Sequence, residues 1–285
     1  MKLYMDMKEL FGFEGKNIVI TGSGSGMGLA ATKLLAELGG NIYASVRRKK
    51  LDIPVTKEIY ADLGSSEGID SFISQLPEKI DALFLCHGIS NSMGNTNALE
   101  VNLTNFLSFK YLTEKLLPRI SDNGSVTFIS SNGGRQWRES VSECLALIRC
   151  STWDEAVNWY NEHPNVTKGG YVFAKKCQHV YVMSKVHAPE FIDRKIRLNA
   201  IAPGMTLTGL TNDFNSSIDG NPEHGKEILE KAFLSYWTGR WASPEEMGYP
   251  LVAVGSNIFS YMSGQILYID YGSSSMSDFS KLITV

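Results

Sequence analysis

The run Asn17 to Thr21, leading into Gly22-Ser23-Gly24-Ser25-Gly26-Met27-Gly28, constrains the fold of this chain more than any other segment. A short apolar stretch feeds a turn of glycines, and Met27 to Leu38 continues with apolar residues at helical spacing. Residues without side chains let a backbone approach a pyrophosphate, and the helix that follows offers unpaired N–H groups and the positive end of its dipole. Gly22, Gly26 and Gly28 are the positions where that approach matters most. Such a strand, turn and helix open a dinucleotide-binding fold, although a glycine-rich loop with no ligand has the same letters.

Further strands are expected at Ile42 to Val46, Glu58 to Ala61, Ala82 to Cys86, Val126 to Ile129, Leu198 to Ala202 and Ile266 to Ile269, with helical stretches between most of them. The alternation predicts an α/β protein: a single Rossmann-type doubly wound parallel sheet with its site at the carboxyl ends of the strands. A chain of 285 residues suits one large domain, and no repeat or low-complexity segment marks a boundary. A net charge of -3 gives no ground for a nucleic-acid partner. Met1 to Leu10 carries Lys2, Asp6, Lys8 and Glu9, no run reaches membrane-spanning length, and a cytoplasmic protein with no membrane partner is expected. Cys86, Cys144, Cys150 and Cys177 lack CxxC spacing and read as reduced thiols. With His87, His163, His179, His187 and His224 they form no ligand pattern, so no metal is expected.

Tyr171 and Lys175 bring chemistry to this frame. On a helix two residues four apart differ by only about 40°, so both side chains can reach one substrate and one ribose. A free phenol titrates near pH ~10, and a neighbouring ammonium is expected to lower it toward useful proton exchange. Asn102 and Ser131 lie between the glycine run and this pair, where a hydride-transfer site needs them. A second step, Tyr181-Val-Met-Ser-Lys185, competes for the role. Gly169 to about Asp193 reads as one helix, on which Tyr181 is turned roughly 80° from Tyr171, so the two cannot serve one site. Tyr171 follows Gly169-Gly170 at the helix start, beside the sheet's mouth; Tyr181 is expected to pack.

These motifs in this order resemble the short-chain dehydrogenase/reductase superfamily, from about Lys16 to Gly272. The resemblance implies a catalytic set of Asn102, Ser131, Tyr171 and Lys175. It also implies a nicotinamide dinucleotide held by Gly22, Ser23, Ser25, Gly26, Met27 and Gly28, by Asp62 and Leu63 on the adenine side, and by Cys86, His87 and Gly88. Tyr171 and Lys175 are expected to contact the cofactor too, with Pro203, Gly204, Thr206 and Thr208 around the nicotinamide and Asn102 supporting a water that links Lys175 to solvent. Asn199 follows Tyr171 by 28 positions (199 − 171), which fits the family spacing, whereas it follows Tyr181 by 18 (199 − 181).

Three departures from the family stand out. Its NNAG is here Leu85-Cys86-His87-Gly88, which puts an imidazole near the cofactor as a titrating group or as a hydrogen-bonded structural one. Its last glycine before the tail is Tyr271. An insert, about Trp137 to Lys168, separates Ser131 from Tyr171; Ser140-Val141-Ser142-Glu143 and Thr152-Trp153-Asp154-Glu155 have capping-box form, and His163-Pro164 makes a stop. A helical hairpin is expected before the catalytic helix. It resembles that of the bacterial 3α-hydroxysteroid dehydrogenase/carbonyl reductases, where it alters helix-mediated subunit packing; a surface ornament is the alternative. A homodimer or homotetramer is expected.

The second strand ends in Val46-Arg47-Arg48-Lys49-Lys50, and arginine there suits a 2′-phosphate, which favours NADP(H). A merely solvated turn, and Ser25 where many NADP-dependent relatives carry a basic residue, keep NAD(H) open. Met205 to Trp241 is expected to be the substrate loop, and Phe214, Ile218, Phe233, Leu234, Tyr236, Trp237 and Trp241 suit a bulky apolar carbonyl or alcohol such as a hydroxysteroid, unless they are core. Arg135 offers a partner for a substrate carboxylate. The alternatives are reduction of an acyl-thioester-linked 3-oxo substrate, or an idle dinucleotide-binding regulator.

Overall fold

The computed structural model describes residues 6–283 except 49, 91–96, 212, 214, 217–219 and 236–238. Lys49, Phe214, Ile218, Tyr236 and Trp237, and the side chain of Phe233, lie outside the described residues.

Seven strands form one all-parallel sheet: β1 (Asn17–Thr21), β2 (Asn41–Val46), β3 (Lys57–Tyr60), β4 (Ile80–Leu85), β5 (Ile120–Ile129), β6 (Arg197–Pro203) and β7 (Ile266–Ile269). Their order is β3-β2-β1-β4-β5-β6-β7, so the chain reverses its direction of travel at β1 and β4 and opens a crevice above their carboxyl ends. Within β1 the pleat divides the core. Val19 joins the cluster under one face and Ile18 and Ile20 the cluster under the other.

The first face is covered by α2 (Ser66–Ile73), α3 (Ala98–Asn102), α4 (Ser108–Leu116) and α7 (Gly170–Lys185), with a π-turn, Leu103–Leu107, joining α3 to α4. α1 (Gly26–Glu37) and α9 (Glu245–Gly255) cover the second, so close together that a Cβ on Gly248 would lie 2.8 Å from Ala30 Cβ. Arg197, buried on β6, donates to the carbonyls of Val254, Gly255, Ser256 and Phe259 at 2.9–3.1 Å and so ties the sheet to the end of α9. α8 (Pro222–Leu229) and α10 (Ser273–Ile283) stand before and after α9 in the chain, and no helix of the described residues is long and apolar enough to cross a membrane.

Two expectations about helix ends are corrected. The helix begun at Gly170 stops at Lys185, because Ala188 precedes Pro189 and takes an extended conformation (ψ 137°); a separate turn, Pro189–Ile192, follows. Ser140 makes no side-chain cap. In the insert α5 (Val141–Arg149) lies on α7, with Cys144 Sγ 3.3 Å from Cys177 Sγ, while α6 (Trp153–Glu162) presents Trp153 edge-on to Tyr111 of α4 at 5.6 Å. The second capping box forms in half: Thr152 Oγ1 accepts from Glu155 N–H, but the Glu155 carboxylate accepts from Ser151 N–H, one residue before the cap, instead of from Thr152 N–H. Tyr271, which replaces a family glycine, keeps the left-handed backbone that a glycine takes freely (φ 56°), at a cost of about 1–2 kcal/mol.

Candidate active site

The glycine turn is built for close approach. A Cβ on Gly28 would lie 2.2 Å from Gly22 O, and one on Gly22 would lie 2.7 Å from His87 N, so neither position admits a larger residue. Gly26 (φ 54°) opens α1, and Ser25 at its N-cap makes no side-chain cap, which leaves the first N–H groups of the helix to an anion. Ser23 N–H and Gly22 N–H are held by the Ser45 carbonyl (3.0 Å) and hydroxyl (3.3 Å) on β2, and Met27 is half-buried behind them. This cradle fits the pyrophosphate of a dinucleotide.

His87 clamps the turn from below. Ser108 Oγ spends its proton on Thr104 O (2.6 Å), so the imidazole Nε2 donates to Ser108 Oγ (2.7 Å) and Nδ1 accepts from Thr21 Oγ1 (2.7 Å), which itself accepts from Cys86 N–H (3.0 Å). Burial, with Lys175 nearby, holds His87 neutral, its pKa lowered to about 3. The hydrogen-bonded structural role is the one observed. Burial also pushes the Cys86 thiol up.

Other expected cofactor positions lie along the same edge of the sheet. Arg47 and Arg48 are exposed just past β2; Asp62, whose Oδ1 accepts from Gly64 N–H (3.0 Å), and buried Leu63 follow β3; Gly88 follows β4. Pro203 ends β6, and Gly204 donates from its N–H to Ile269 O (3.0 Å). Thr206 Oγ1 donates to Gly204 O, and Thr208 stands 3.4 Å from where a Gly26 Cβ would be.

α7 brings the candidate catalytic side chains to this edge. Ser131, just beyond β5, caps a short turn, Asn132–Gly134, and shares a hydrogen bond with the Tyr171 hydroxyl. Lys175, 3% exposed, reaches under the tyrosine with Nζ 5.4 Å from its ring centroid and donates to Ile129 O (3.0 Å) and Gln178 Oε1 (3.3 Å). Asn102 donates from Nδ2 to Ala98 O (2.8 Å) and Thr167 O (3.0 Å), while its buried Oδ1 has no partner among the described residues. Ser131, Tyr171 and Lys175 thus converge, and Asn102 ties α3 to the insert.

One electrostatic expectation is reversed. Burial raises the Tyr171 hydroxyl above its ordinary value, opposed by the bond to Ser131, and lowers Lys175 to about 7. Desolvation outweighs the attraction between phenolate and ammonium when the ammonium itself is half neutral. Tyr181 packs as expected, stacked on Phe128 at 6.1 Å and edge-on to Phe106 at 6.4 Å.

A cavity of about 440 Å³ adjoins the Ser131 turn, lined in part by Asn132, Met205, Leu234, Ala242, Ile269 and Tyr271. Its roof leaves the sheet at Met205 and returns at Ala242, whose N–H donates to Met205 O (2.9 Å) while its carbonyl accepts from Leu207 N–H (2.9 Å). Trp241 is turned to Glu230, with Nε1 2.7 Å from its carboxylate. Arg135 Nη2 donates to Ser277 Oγ on α10 (2.9 Å), so the tail already holds part of the group that a substrate carboxylate would use. The sequence patterns missed three buried polar residues behind the site, Asn105, Gln178 and His179; the signal is polar letters in the buried phase of their helices.

Residues 16–143 match the family model described as short chain dehydrogenase, and residues 165–274 match the one described as Enoyl-(Acyl carrier protein) reductase; most of the insert falls between. The coniferyl-alcohol dehydrogenase of Pseudomonas sp. (strain HR199 / DSM 7063) is 34% identical over 200 residues, 70% of this chain and 76% of that one. A 3-alpha-hydroxysteroid dehydrogenase/carbonyl reductase of Comamonas testosteroni is 25% identical over 90% of this chain and 95% of its own. In fold, the chain matches the structure of a 3-alpha-hydroxysteroid dehydrogenase from Pseudomonas sp. B-0831 complexed with NADH, with a TM-score of 0.73 over 92% of this chain and 98% of that one at 21% identity. Glycine turn, sheet order and relatives agree: the chain belongs to the short-chain dehydrogenase/reductase family of oxidoreductases, enzymes that use a nicotinamide dinucleotide.

Proposed function

We propose that this enzyme prefers NADP(H) and interconverts a bulky, weakly polar ketone and its secondary alcohol, with a hydroxysteroid as the model substrate. The observation that carries this is the convergence of Ser131, Tyr171 and Lys175 beside a largely apolar cavity. The bound dinucleotide supplies or accepts the hydride. Tyr171 hands its phenolic proton to the carbonyl oxygen in reduction and takes it back in oxidation. Ser131 holds that oxygen as charge develops on it. Lys175 keeps one N–H for the ribose and, once charged, draws the tyrosine down from its raised value. Asn102 Oδ1 accepts from the water that leads to Lys175.

Arg47 and Arg48 support the phosphate-bearing cofactor, because both are exposed where the adenine ribose of a Rossmann fold lies. NAD(H), named with the solved hydroxysteroid dehydrogenase, is the second cofactor. Names of relatives that carry a steroid and coniferyl alcohol support an apolar substrate; the acyl-carrier description of the second matching model makes a 3-oxoacyl thioester the competing one. The insert lies against α4 and α7, the faces that the family resemblance implies for subunit pairing, which supports a homodimer through another surface.

The test is nicotinamide absorbance with purified protein, NADP(H) or NAD(H), and a panel of hydroxysteroids, coniferyl alcohol, aryl ketones and a 3-oxoacyl thioester. A tenfold preference for NAD(H) sinks the cofactor assignment, and turnover of the thioester alone sinks the substrate class. Light scattering that returns a tetramer sinks the assembly.

A further inference from the structure

Two buried amides behind Lys175 take no part in the chemistry above. Gln178, one turn beyond Lys175 on α7, is fully buried; its Oε1 accepts from Lys175 Nζ at 3.3 Å and its Nε2 donates to Asn105 O at 2.6 Å. The second contact decides how the amide faces. Only the NH₂ group can meet a carbonyl, so the oxygen is turned to the lysine. Asn105, also fully buried, clasps Ile89 at both ends, accepting from its N–H at 2.9 Å and donating to its carbonyl at 2.7 Å. There is no slack at this joint: a Cβ on Gly88 would lie 2.9 Å from Asn105 Oδ1. A run of buried hydrogen bonds therefore links the turn after β4 to Lys175. A buried glutamine in an apolar helix phase is costly unless both ends are paired, and here both are.

We propose that Gln178 is a positioning residue: its amide oxygen fixes Lys175 against Ile129 and, through Asn105, registers the lysine to the Cys86–Ile89 turn that borders the cofactor. This rests on assigning Lys175 to the reacting group and adds what holds it there. The groups facing Lys175 are Cys86 and His87 from the turn after β4, Tyr171 and His179 on its own helix, and the Phe109 ring of α4 at 5.6 Å. None is an anion at neutral pH, since burial raises the thiol and the phenol and keeps both imidazoles neutral. With no counter-charge facing it among the described residues, the acceptors at Ile129 O and Gln178 Oε1 decide how readily Lys175 carries its proton.

The experiment follows the titration of Lys175 in the cofactor-free protein by NMR of ε-¹³C-labelled lysines, with Lys175→Met identifying the resonance. Gln178→Leu removes an acceptor from the ammonium and should lower the midpoint by about one unit; Gln178→Glu adds a charge and should raise it by about as much. The corresponding limb of the pH profile of kcat/KM should move the same way in each. A merely structural glutamine would change melting temperature in both variants without opposite shifts. Midpoints unmoved in folded Gln178→Leu and Gln178→Glu overturn the proposal, and Gln178→Met takes the place of the leucine variant if that one does not fold. If the midpoint shifts while Lys175→Met stays active, the positioning stands and the assignment of Lys175 fails; an unmoved midpoint with Lys175→Met inactive gives the reverse.

Discussion

Tyr171 and Tyr181 stand on one helix, each four residues before a lysine, and locally the two steps are nearly the same. Lys175 Nζ lies 5.4 Å from the first ring centroid and Lys185 Nζ 5.9 Å from the second. Their surroundings differ in kind. Lys175 faces a backbone carbonyl and an amide, with Ser131 on its tyrosine; Lys185 is paired with Glu114 (3.6 Å) and Glu190 (3.7 Å) at the edge of a separate cavity of about 650 Å³. Tyr181 is sealed among Phe106 and Phe128. Helical spacing supplies reach; chemistry comes from what the carboxyl edge of the sheet sets opposite the helix.

The sharpest way to break this contrast is to remove each hydroxyl. Tyr171→Phe should cost roughly 10²–10⁴-fold in kcat with dinucleotide affinity nearly intact, whereas Tyr181→Phe should leave kcat within about twofold. The opposite pattern in steady-state kinetics would give the proton-donor role to Tyr181 instead. Cutting away the whole ring reverses the ranking: Tyr181→Ala should lose about 3–5 kcal/mol of stability in urea melts, more than Tyr171→Ala, because Tyr171 is only half-buried. At the other end of the edge, Arg47→Asp with Arg48→Ala should weaken NADPH binding by about 1.5–3 kcal/mol and leave NADH binding equal or better, as read by fluorescence titration.

Acid should act on the site half first. His87 and His179 are both held neutral with pKa values near 3, against 6.5 for a free imidazole, mainly by burial. Between those values the unfolded chain binds protons that the fold refuses, so their contribution is fully present above about pH 6.5 and drains as pH falls toward 3. Denaturant melts at several pH values should show that slope, and His87→Gln should remove about one proton from it. The smallest effect is expected at the rear: Lys185→Ala breaks partly exposed ion pairs and should cost under about 1 kcal/mol without changing kcat.

β1 and β7 were legible to the residue, since short apolar runs bounded by turn chemistry leave little choice. Helix ends were less so. The stop at Lys185 follows from Pro189 four residues later, and Ser140 has the letters of a cap without its geometry. The direction in which the Tyr171 hydroxyl is moved is hidden from the sequence for a different reason. Proximity to Lys175 is visible in spacing, but the burial that lowers the lysine comes from distant segments packed around it, among them the Phe109 ring of α4.

The sequence alone determined that a glycine turn would join a strand to a helix, that strands and helices would alternate into one parallel sheet, and that Tyr171 and Lys175 would share a helix face; these follow from local sterics and periodicity. Tertiary structure decided which tyrosine meets a serine, which histidine becomes a neutral clamp, and how the insert lies across α4 and α7. Those outcomes depend on burial and on partners from distant segments, such as Thr21 with His87 or Asn105 with Gln178, and no local pattern carries the dielectric or the geometry of such a meeting.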